Sequence, residues 1–162
     1  MFTLVEVVGV RIEMPSNQPI VLLKEMEGTT FLPIWVGAGE ATAIAFAQQD
    51  IRPERPLTHD LIVELLEATG ATLTAVRITE LRDGIFYAQM LLTGPSGELE
   101  PISARPSDAI AVALRTSTNI YVEQGLLESA GIQIPAGESG QSEEEVEAFR
   151  DFLDQINPED FA

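Results

Sequence analysis

The sequence predicts an α+β fold made of two similar units of strands and a helix. The chain has 162 residues, 45% of them hydrophobic, and its mean hydropathy is +0.12. This size and composition are typical of a domain with a real apolar core. Segments of alternating polarity precede segments of helical periodicity, twice in succession. Short motifs also recur at one offset, since Pro33-Ile34 returns as Pro101-Ile102, 68 positions later, and Glu40-Ala41 as Asp108-Ala109.

The first unit is predicted to contain three strands and one helix. Alternating apolar side chains predict strands over Phe2–Glu13, Ile20–Lys24 and Phe31–Val36. Residues Pro15–Pro19 separate the first two strands, because proline and asparagine favour turns. An alanine-rich helix is expected over Glu40–Gln49. The unit is therefore predicted to be βββα.

A separate helix is predicted after the first unit. The loop Arg52–Pro56 holds two prolines, which exclude a helix there. Thr58 stands at an N-cap position and Gly70 at a C-terminal stop. The expected buried stripe of this helix consists of Leu61, Ile62, Leu65 and Leu66.

The second unit repeats the order of the first. Alternation predicts strands over Thr72–Leu81, Ile85–Leu92 and Leu99–Ala104, and the helix Ser107–Thr116 follows. Two halves with the same order of elements would pack about a pseudo-two-fold axis, which would bring Glu40 and Asp108 to related positions. After this unit we expect a short strand over Asn119–Val122 and a short helix over Glu123–Ala130.

Residues 135–162 are predicted to form an acidic extension to a domain of residues 1–134. Residues 138–162 hold nine acids and one base, Arg150. Ser142-Glu143-Glu144-Glu145 is a capping box, so a linker is expected before it and an amphipathic helix after it. The apolar face of that helix would consist of Val146, Phe149, Phe152, Leu153 and Ile156.

The charge balance limits the classes of function. The chain has 26 acids, 9 bases and a formal net charge of −17, which repels phosphate backbones at long range. The absence of cysteine excludes disulfides and a thiol nucleophile. No apolar stretch approaches the length of a membrane span. We expect a soluble, cytoplasmic protein.

Two carboxylates are candidate catalytic or metal-binding groups. Glu40 and Asp108 each lie in the first turn of a predicted helix, where the helix dipole stabilises an anion. They are either structural groups of helix starts or a pair that holds a divalent cation or orients a water molecule. The spacing leaves both interpretations open.

His59 is the only histidine and precedes Asp60 at another helix start, where a neutral ring could accept a proton. Arg105 and Arg115 flank Asp108. They are either ion-pair locks between the two halves or a clamp for a phosphate beside an acid. A structural histidine is the alternative to a catalytic one.

Four segments in this order resemble the bifunctional nuclease domain, also called the DNase–RNase domain, of bacteria and plants. They are Leu32–Gly37 with Glu40-Ala41, Arg55–Leu61, Gly84–Ala88 and Arg105–Ala111. The resemblance covers residues 2–131 and implies an α+β domain that dimerises and cleaves DNA and RNA.

The resemblance also implies a set of site residues. The catalytic candidates are Glu40, His59, Asp60 and Asp108, and the candidates for binding the nucleic acid are Arg105, Ser107 and Arg115. Arg55 is added to the binding candidates because it lies in the loop just before His59, and loops often carry function. Glu40 and Asp108 would hold Mg²⁺ or Mn²⁺. The alternative function is a regulatory or interaction module that binds a small anion or a protein partner without catalysis, and the charge of −17 favours that alternative.

Overall fold

The computed structural model describes residues 1–134, which contain nine strands and four helices. The predicted linker and C-terminal helix lie outside the described residues. In chain order the elements are β1 Phe2–Glu13, β2 Gln18–Glu25, β3 Thr30–Trp35, α1 Ala38–Gln48, α2 Thr58–Thr69, β4 Thr72–Arg82, β5 Ile85–Gly94, β6 Gly97–Glu98, β7 Ile102–Ala104, α3 Pro106–Thr116, β8 Ile120–Glu123, α4 Gln124–Ala130 and β9 Ile132–Gln133.

The strands form one mixed sheet in the order β6-β5-β4-β8-β1-β2-β3-β9, and β7 also pairs with β5. All pairs are antiparallel except β4 with β8. The α+β class is confirmed. None of the helices in residues 1–134 has the length and apolar character needed to cross a membrane.

The predicted third strand of the second unit is shorter than expected. Of Leu99–Ala104 only Ile102–Ala104 forms a strand, β7, while β6 at Gly97–Glu98 lies at the end of the predicted turn. Pro101 has no N–H to donate to a ladder, which favours a start of β7 after it. The two-residue strand β9 was not predicted, because so short a segment has no detectable period. The other predicted elements of residues 1–134 are present with ends shifted by a few residues.

The strand order is alike in the two halves. The middle strand is β2 in the order β1-β2-β3 and β5 in the order β4-β5-β7, and a helix follows each third strand. Strands β1 and β4 run in opposite directions, because β8 between them is antiparallel to one and parallel to the other. A pseudo-two-fold axis requires this arrangement. The superposition of the two units stays a prediction.

The apolar core lies between one face of the sheet and the helices. Its fully buried members include Val21, Leu23, Ile44, Val76, Ile78, Ile110, Val112 and Val122. Each such side chain contributes about 1.5–3 kcal/mol by leaving water. Helix α3 packs against both α1 and α2. The buried alanines of α1 and α3 allow close packing, since short side chains let helix axes approach.

Half of the predicted stripe on α2 is wrong. Ile62, Val63 and Leu66 pack against the core, whereas Leu61 and Leu65 are 47% and 56% exposed. Helix α2 packs mainly against α3 and less extensively against β4. Burial of the narrow face formed by Ile62, Val63 and Leu66 is therefore sufficient to attach α2 to the core.

Candidate active site

Three helix starts meet at one place on the molecule. Glu40 is the third residue of α1, His59 the second residue of α2 and Asp108 the third residue of α3. Packing of α3 against the other two helices brings the first turns together. In α3, Pro106 occupies the first helical position, where its missing N–H costs nothing.

One guanidinium connects the two predicted carboxylates. Arg105 is the N-cap residue of α3. Its Nε donates to Asp108 Oδ2 at 2.8 Å, and its Nη2 donates to Glu40 Oε1 at 2.9 Å. Because Glu40 belongs to the first unit and Asp108 to the second, this bridge joins the two halves. The lock between halves that the sequence suggested is therefore made by Arg105.

His59 completes the cluster from the third helix. Its Nε2 lies 2.8 Å from Asp108 Oδ1, so each oxygen of that carboxylate has its own partner. Burial alone would raise the pKa of Asp108, but the hydrogen bonds with His59 and Arg105 outweigh it and lower the pKa. The pKa of Arg105 is raised in turn, chiefly by its hydrogen bond to Asp108. Asp108 is consequently a carboxylate at neutral pH.

The contact with Asp108 sets the orientation of the His59 ring. A carboxylate only accepts hydrogen bonds, so Nε2 carries the hydrogen and Nδ1 is the basic nitrogen of the neutral ring. The His59 side chain is 9% exposed, and that of Asp108 is 28% exposed. An imidazole held by a carboxylate in this way is suited to proton transfer.

A cavity of about 180 Å³ lies over the cluster. Its walls are formed by the first turns of α1 and α2 and by Arg105 and Asp108, the full set being Gly39, Glu40, Thr42, Ala43, Leu57, Thr58, His59, Arg105 and Asp108. Helix starts carry a partial positive charge from unpaired N–H groups. The cavity therefore combines acids with the electropositive ends of three helices, a setting in which an anion such as phosphate can bind.

Asp60 and Arg115 form a second cluster. Arg115 Nε donates to Asp60 Oδ1 at 2.8 Å, and Arg115 Nη1 donates to the Ala111 carbonyl. Asp60 Oδ2 accepts from the backbone N–H of Leu57, which stands at the N-cap of α2. The N-cap is therefore Leu57 and not Thr58, and the Asp60 side chain makes the reciprocal contact of a capping box by accepting from the N–H of the N-cap residue.

The second cluster lines a different cavity, of about 430 Å³. Its apolar walls come from Phe46, Ile51, Val63 and Leu114, and its polar groups include Asp50 and Arg52, which form an exposed ion pair. The charged and imidazole groups expected at one site are thus divided. Glu40, His59, Arg105 and Asp108 lie together, and Asp60 and Arg115 lie apart from them.

Two other predicted residues lie outside both cavities. Ser107 is buried in the first turn of α3, and Arg55 is exposed in the loop before α2. In contrast, Gly39 and Thr42 line the cavity over His59 without having been predicted. Thr42 could have been suspected from the sequence, because it is a polar residue within an alanine-rich helix. Its hydroxyl is buried and donates to the carbonyl of Ala38.

The predicted metal ligands fit a divalent cation poorly as they stand. Glu40 and Asp108 both accept from the guanidinium of Arg105, a cation that occupies the position between them. Within residues 1–134, no group of three or more His, Cys, Asp or Glu side chains is arranged to hold a metal ion.

The sequence of this chain matches the bifunctional nuclease domain family over residues 21–135. That match covers α1, α2 and α3 and every residue of the His59 cluster. The chain belongs to the bifunctional nuclease domain family.

The curated relatives of this bifunctional nuclease domain are of two kinds. Uncharacterized protein Rv1829 of Mycobacterium tuberculosis is 48% identical over 97% of this chain and 96% of its own length. Bifunctional nuclease 1 of Oryza sativa subsp. japonica is 31% identical over 73% of this chain, and Bifunctional nuclease 1 of Arabidopsis thaliana is 29% identical over 74%. The matches span only 36% and 38% of those two plant proteins.

Proposed function

We propose that this domain hydrolyses phosphodiester bonds of DNA and RNA at the cluster of Glu40, His59, Arg105 and Asp108. The observation that carries the proposal is the carboxylate–imidazole–guanidinium chain beside a cavity at three helix starts. The supporting comparison is membership of a family whose plant members are named bifunctional nucleases.

His59 is the proposed proton-transfer group. Asp108 holds Nε2, so Nδ1 takes a proton from an attacking water molecule or hydroxyl as the bond to phosphorus forms. The imidazolium that results is stabilised by the Asp108 carboxylate, as in other carboxylate–histidine pairs. The same ring can return the proton to the leaving oxygen. Asp108 acts through His59 and Arg105 and is a positioning residue.

Arg105 is the proposed phosphate-binding group. Its side chain is 67% exposed, and two of its five N–H groups are used by Glu40 and Asp108. The remaining donors can meet two oxygens of a phosphate, a geometry for which a guanidinium is suited. Binding there would offset the negative charge that develops on the phosphoryl oxygens.

The acidity of the chain sets a condition on this activity. A net charge of −17 slows the approach of a polyanion, and added salt screens that repulsion. The local charge at the cavity is less unfavourable, because Arg105 and the three helix starts oppose the charges of Glu40 and Asp108. We therefore expect cleavage to be faster at moderate than at very low ionic strength.

The test is a cleavage assay on single-stranded DNA, double-stranded DNA and RNA with the wild type, His59→Gln and Asp108→Asn. Loss of general acid–base catalysis should lower kcat by about 10²–10⁴. The matched control is Glu67→Gln, which changes the net charge as Asp108→Asn does, at an exposed residue of α2. The wild type and variants are purified by two unrelated schemes to exclude a contaminating nuclease. Equal cleavage by the wild type and folded His59→Gln would overturn the proposal.

A non-catalytic module that binds a small anion or a protein partner is the second candidate function. It is favoured by the net charge of −17 and by the pairing of both acids with Arg105, which gives each charge a structural role. On this view, purified wild type cleaves nothing, and inorganic phosphate still protects the domain against thermal unfolding. Arg105→Ala would then abolish the protection.

Homodimer formation belongs to the same proposal. It rests on the family resemblance, and light scattering of the full chain across a range of concentrations tests it. A mass of one chain at every concentration would contradict it.

A further inference from the structure

Within residues 1–134, the strand side chains that share the apolar core with the helices all lie on one face of the sheet. The side chains that contact the helices alternate along each strand with a second set that points the other way. Cross-strand neighbours share a face, so the register of β1, β2, β3 and β8 identifies this second set. We call this side the open face.

The open face carries an apolar patch at the β3 side of the sheet. The register pairs Ile20 with Trp35 and Leu22 with Pro33, and these four side chains lie next to one another. Trp35 is 49% exposed, although its indole N–H donates to Glu13. The apolar patch consists of Leu4, Ile20, Leu22, Pro33, Trp35 and Ile132, all partly or well exposed.

The described chain ends beside this patch. Strand β9 pairs with the start of β3, where Ile132 lies opposite Phe31 and therefore on the open face. Ile132 is 45% exposed. Residues 135–162 continue from this edge, so the patch is within reach of the sequence that follows.

The sequence after β9 is long enough to reach across the apolar patch, and its apolar residues have the spacing of an amphipathic helix. A helix over residues 142–156 would be about 22 Å long at 1.5 Å per residue. The eight residues of β2 extend over about 26 Å at 3.3 Å per residue, so such a helix fits along the strands. Its apolar face would consist of Val146, Phe149, Phe152, Leu153 and Ile156.

We propose that residues 142–156 pack as an amphipathic helix on the apolar patch of the open face. An isolated helix of this length is marginal in water, and burial of its apolar face supplies the missing stability. The open face carries charges of both signs, since Lys24 lies opposite Glu6, so the placement rests on burial of the apolar side chains.

Packing of residues 142–156 on the open face leaves the His59 cluster accessible. The cluster lies at the helix starts on the other side of the sheet. The packing of this segment is therefore independent of the proposed cleavage site and can be tested without a cleavage assay. Substitutions in residues 142–156 should leave kcat unchanged.

Trp35 reports directly on this packing, because it is the only tryptophan and lies in the patch. In the full chain, Phe149→Asp/Phe152→Asp should shift the emission of Trp35 to longer wavelength and raise the acrylamide quenching constant at least twofold. The control is Ala148→Asp/Gln155→Asp, which adds the same charge away from the apolar side of the helix. This control should behave as the wild type does.

Two results would overturn the inference. The first is equal emission and quenching of Trp35 in the wild type and in Phe149→Asp/Phe152→Asp. The second is shielding of Trp35 that disappears on dilution as the mass falls from two chains to one, since a second copy would then be the cover. Shielding that is independent of concentration and lost only in the apolar-face variant supports packing within one chain.

Discussion

His59 and Asp60 are neighbours in the sequence, yet their side chains belong to different clusters. His59 Nε2 lies 2.8 Å from Asp108 Oδ1, and Asp60 Oδ1 lies 2.8 Å from Arg115 Nε. Successive residues of a helix point about 100° apart, so the first turn of α2 faces two cavities at once. This geometry separates residues with a proposed catalytic role from residues that hold the helices together.

Arg115→Met should destabilise the fold and spare catalysis. Arg115 is 10% exposed, and its loss leaves Asp60, a partly buried acid, without its charged partner. The expected cost is roughly 1–3 kcal/mol in the free energy of unfolding, measured with urea. The kcat of the folded variant should stay within about threefold of the wild-type value. A fall of 100-fold at a temperature where the variant is folded would assign Arg115 to substrate binding after all.

Glu40→Gln should reduce kcat/KM by about tenfold, well below the loss in His59→Gln. Glu40 contacts Arg105 and does not contact His59, so its effect on catalysis passes through the position of the guanidinium. Steady-state kinetics with one oligonucleotide substrate measures the difference. If the two variants lose the same activity, Glu40 takes part directly in the reaction, as the sequence first suggested.

Asp108 should make the stability of the fold depend on pH below about 4. Its pKa in the folded state is lowered, because hydrogen bonds with His59 and Arg105 outweigh the effect of burial. A carboxylate of this kind stabilises the fold above its unfolded pKa of about 3.9, and the contribution is lost as the pH falls through the lower folded value.

The measurement is urea unfolding of the wild type and Asp108→Asn between pH 2.5 and 7. The stability difference between the two proteins should shrink as the pH falls below about 4, where the Asp108 carboxylate of the wild type becomes protonated. A difference that stays constant down to the lowest pH would show that Asp108 is not stabilised as a carboxylate by these partners.

Arg105→Ala should raise the affinity for Mn²⁺ by roughly tenfold or more. Metal assistance is a prediction from the sequence that the proposed mechanism does not use. The guanidinium between Glu40 and Asp108 opposes it, since like charges about 4 Å apart repel by roughly 1–4 kcal/mol near a protein surface. Calorimetric titration of Mn²⁺ into the wild type, Arg105→Ala and Arg105→Ala/Asp108→Asn measures the three affinities. Equal affinity of the wild type and Arg105→Ala would contradict the prediction, and equal affinity of the two variants would exclude Asp108 as a ligand.

The α+β class and nearly every element of residues 1–134 could be predicted from local patterns. Alternation identified the long strands, and alanine-rich stretches that follow Gly37-Ala38-Gly39 and Pro106 identified α1 and α3. The exposure of Leu61 and Leu65 could not be predicted. Helical periodicity shows which residues share a face of a helix, but it does not show how much of that face the neighbouring elements cover. The late start of β7, after Pro101, was indicated in the sequence only by the proline itself, which cannot donate a backbone hydrogen bond to a sheet.

The sequence by itself determined the types of groups available for chemistry: one histidine, carboxylates and arginines at helix starts, and no thiol. The tertiary structure alone decided which of them meet. Arg105 reaches Glu40 across 65 positions of sequence and His59 reaches Asp108 across 49, because α3 packs against α1 and α2. Local propensity does not encode such distances, since they depend on how the helices share the core on one face of the sheet.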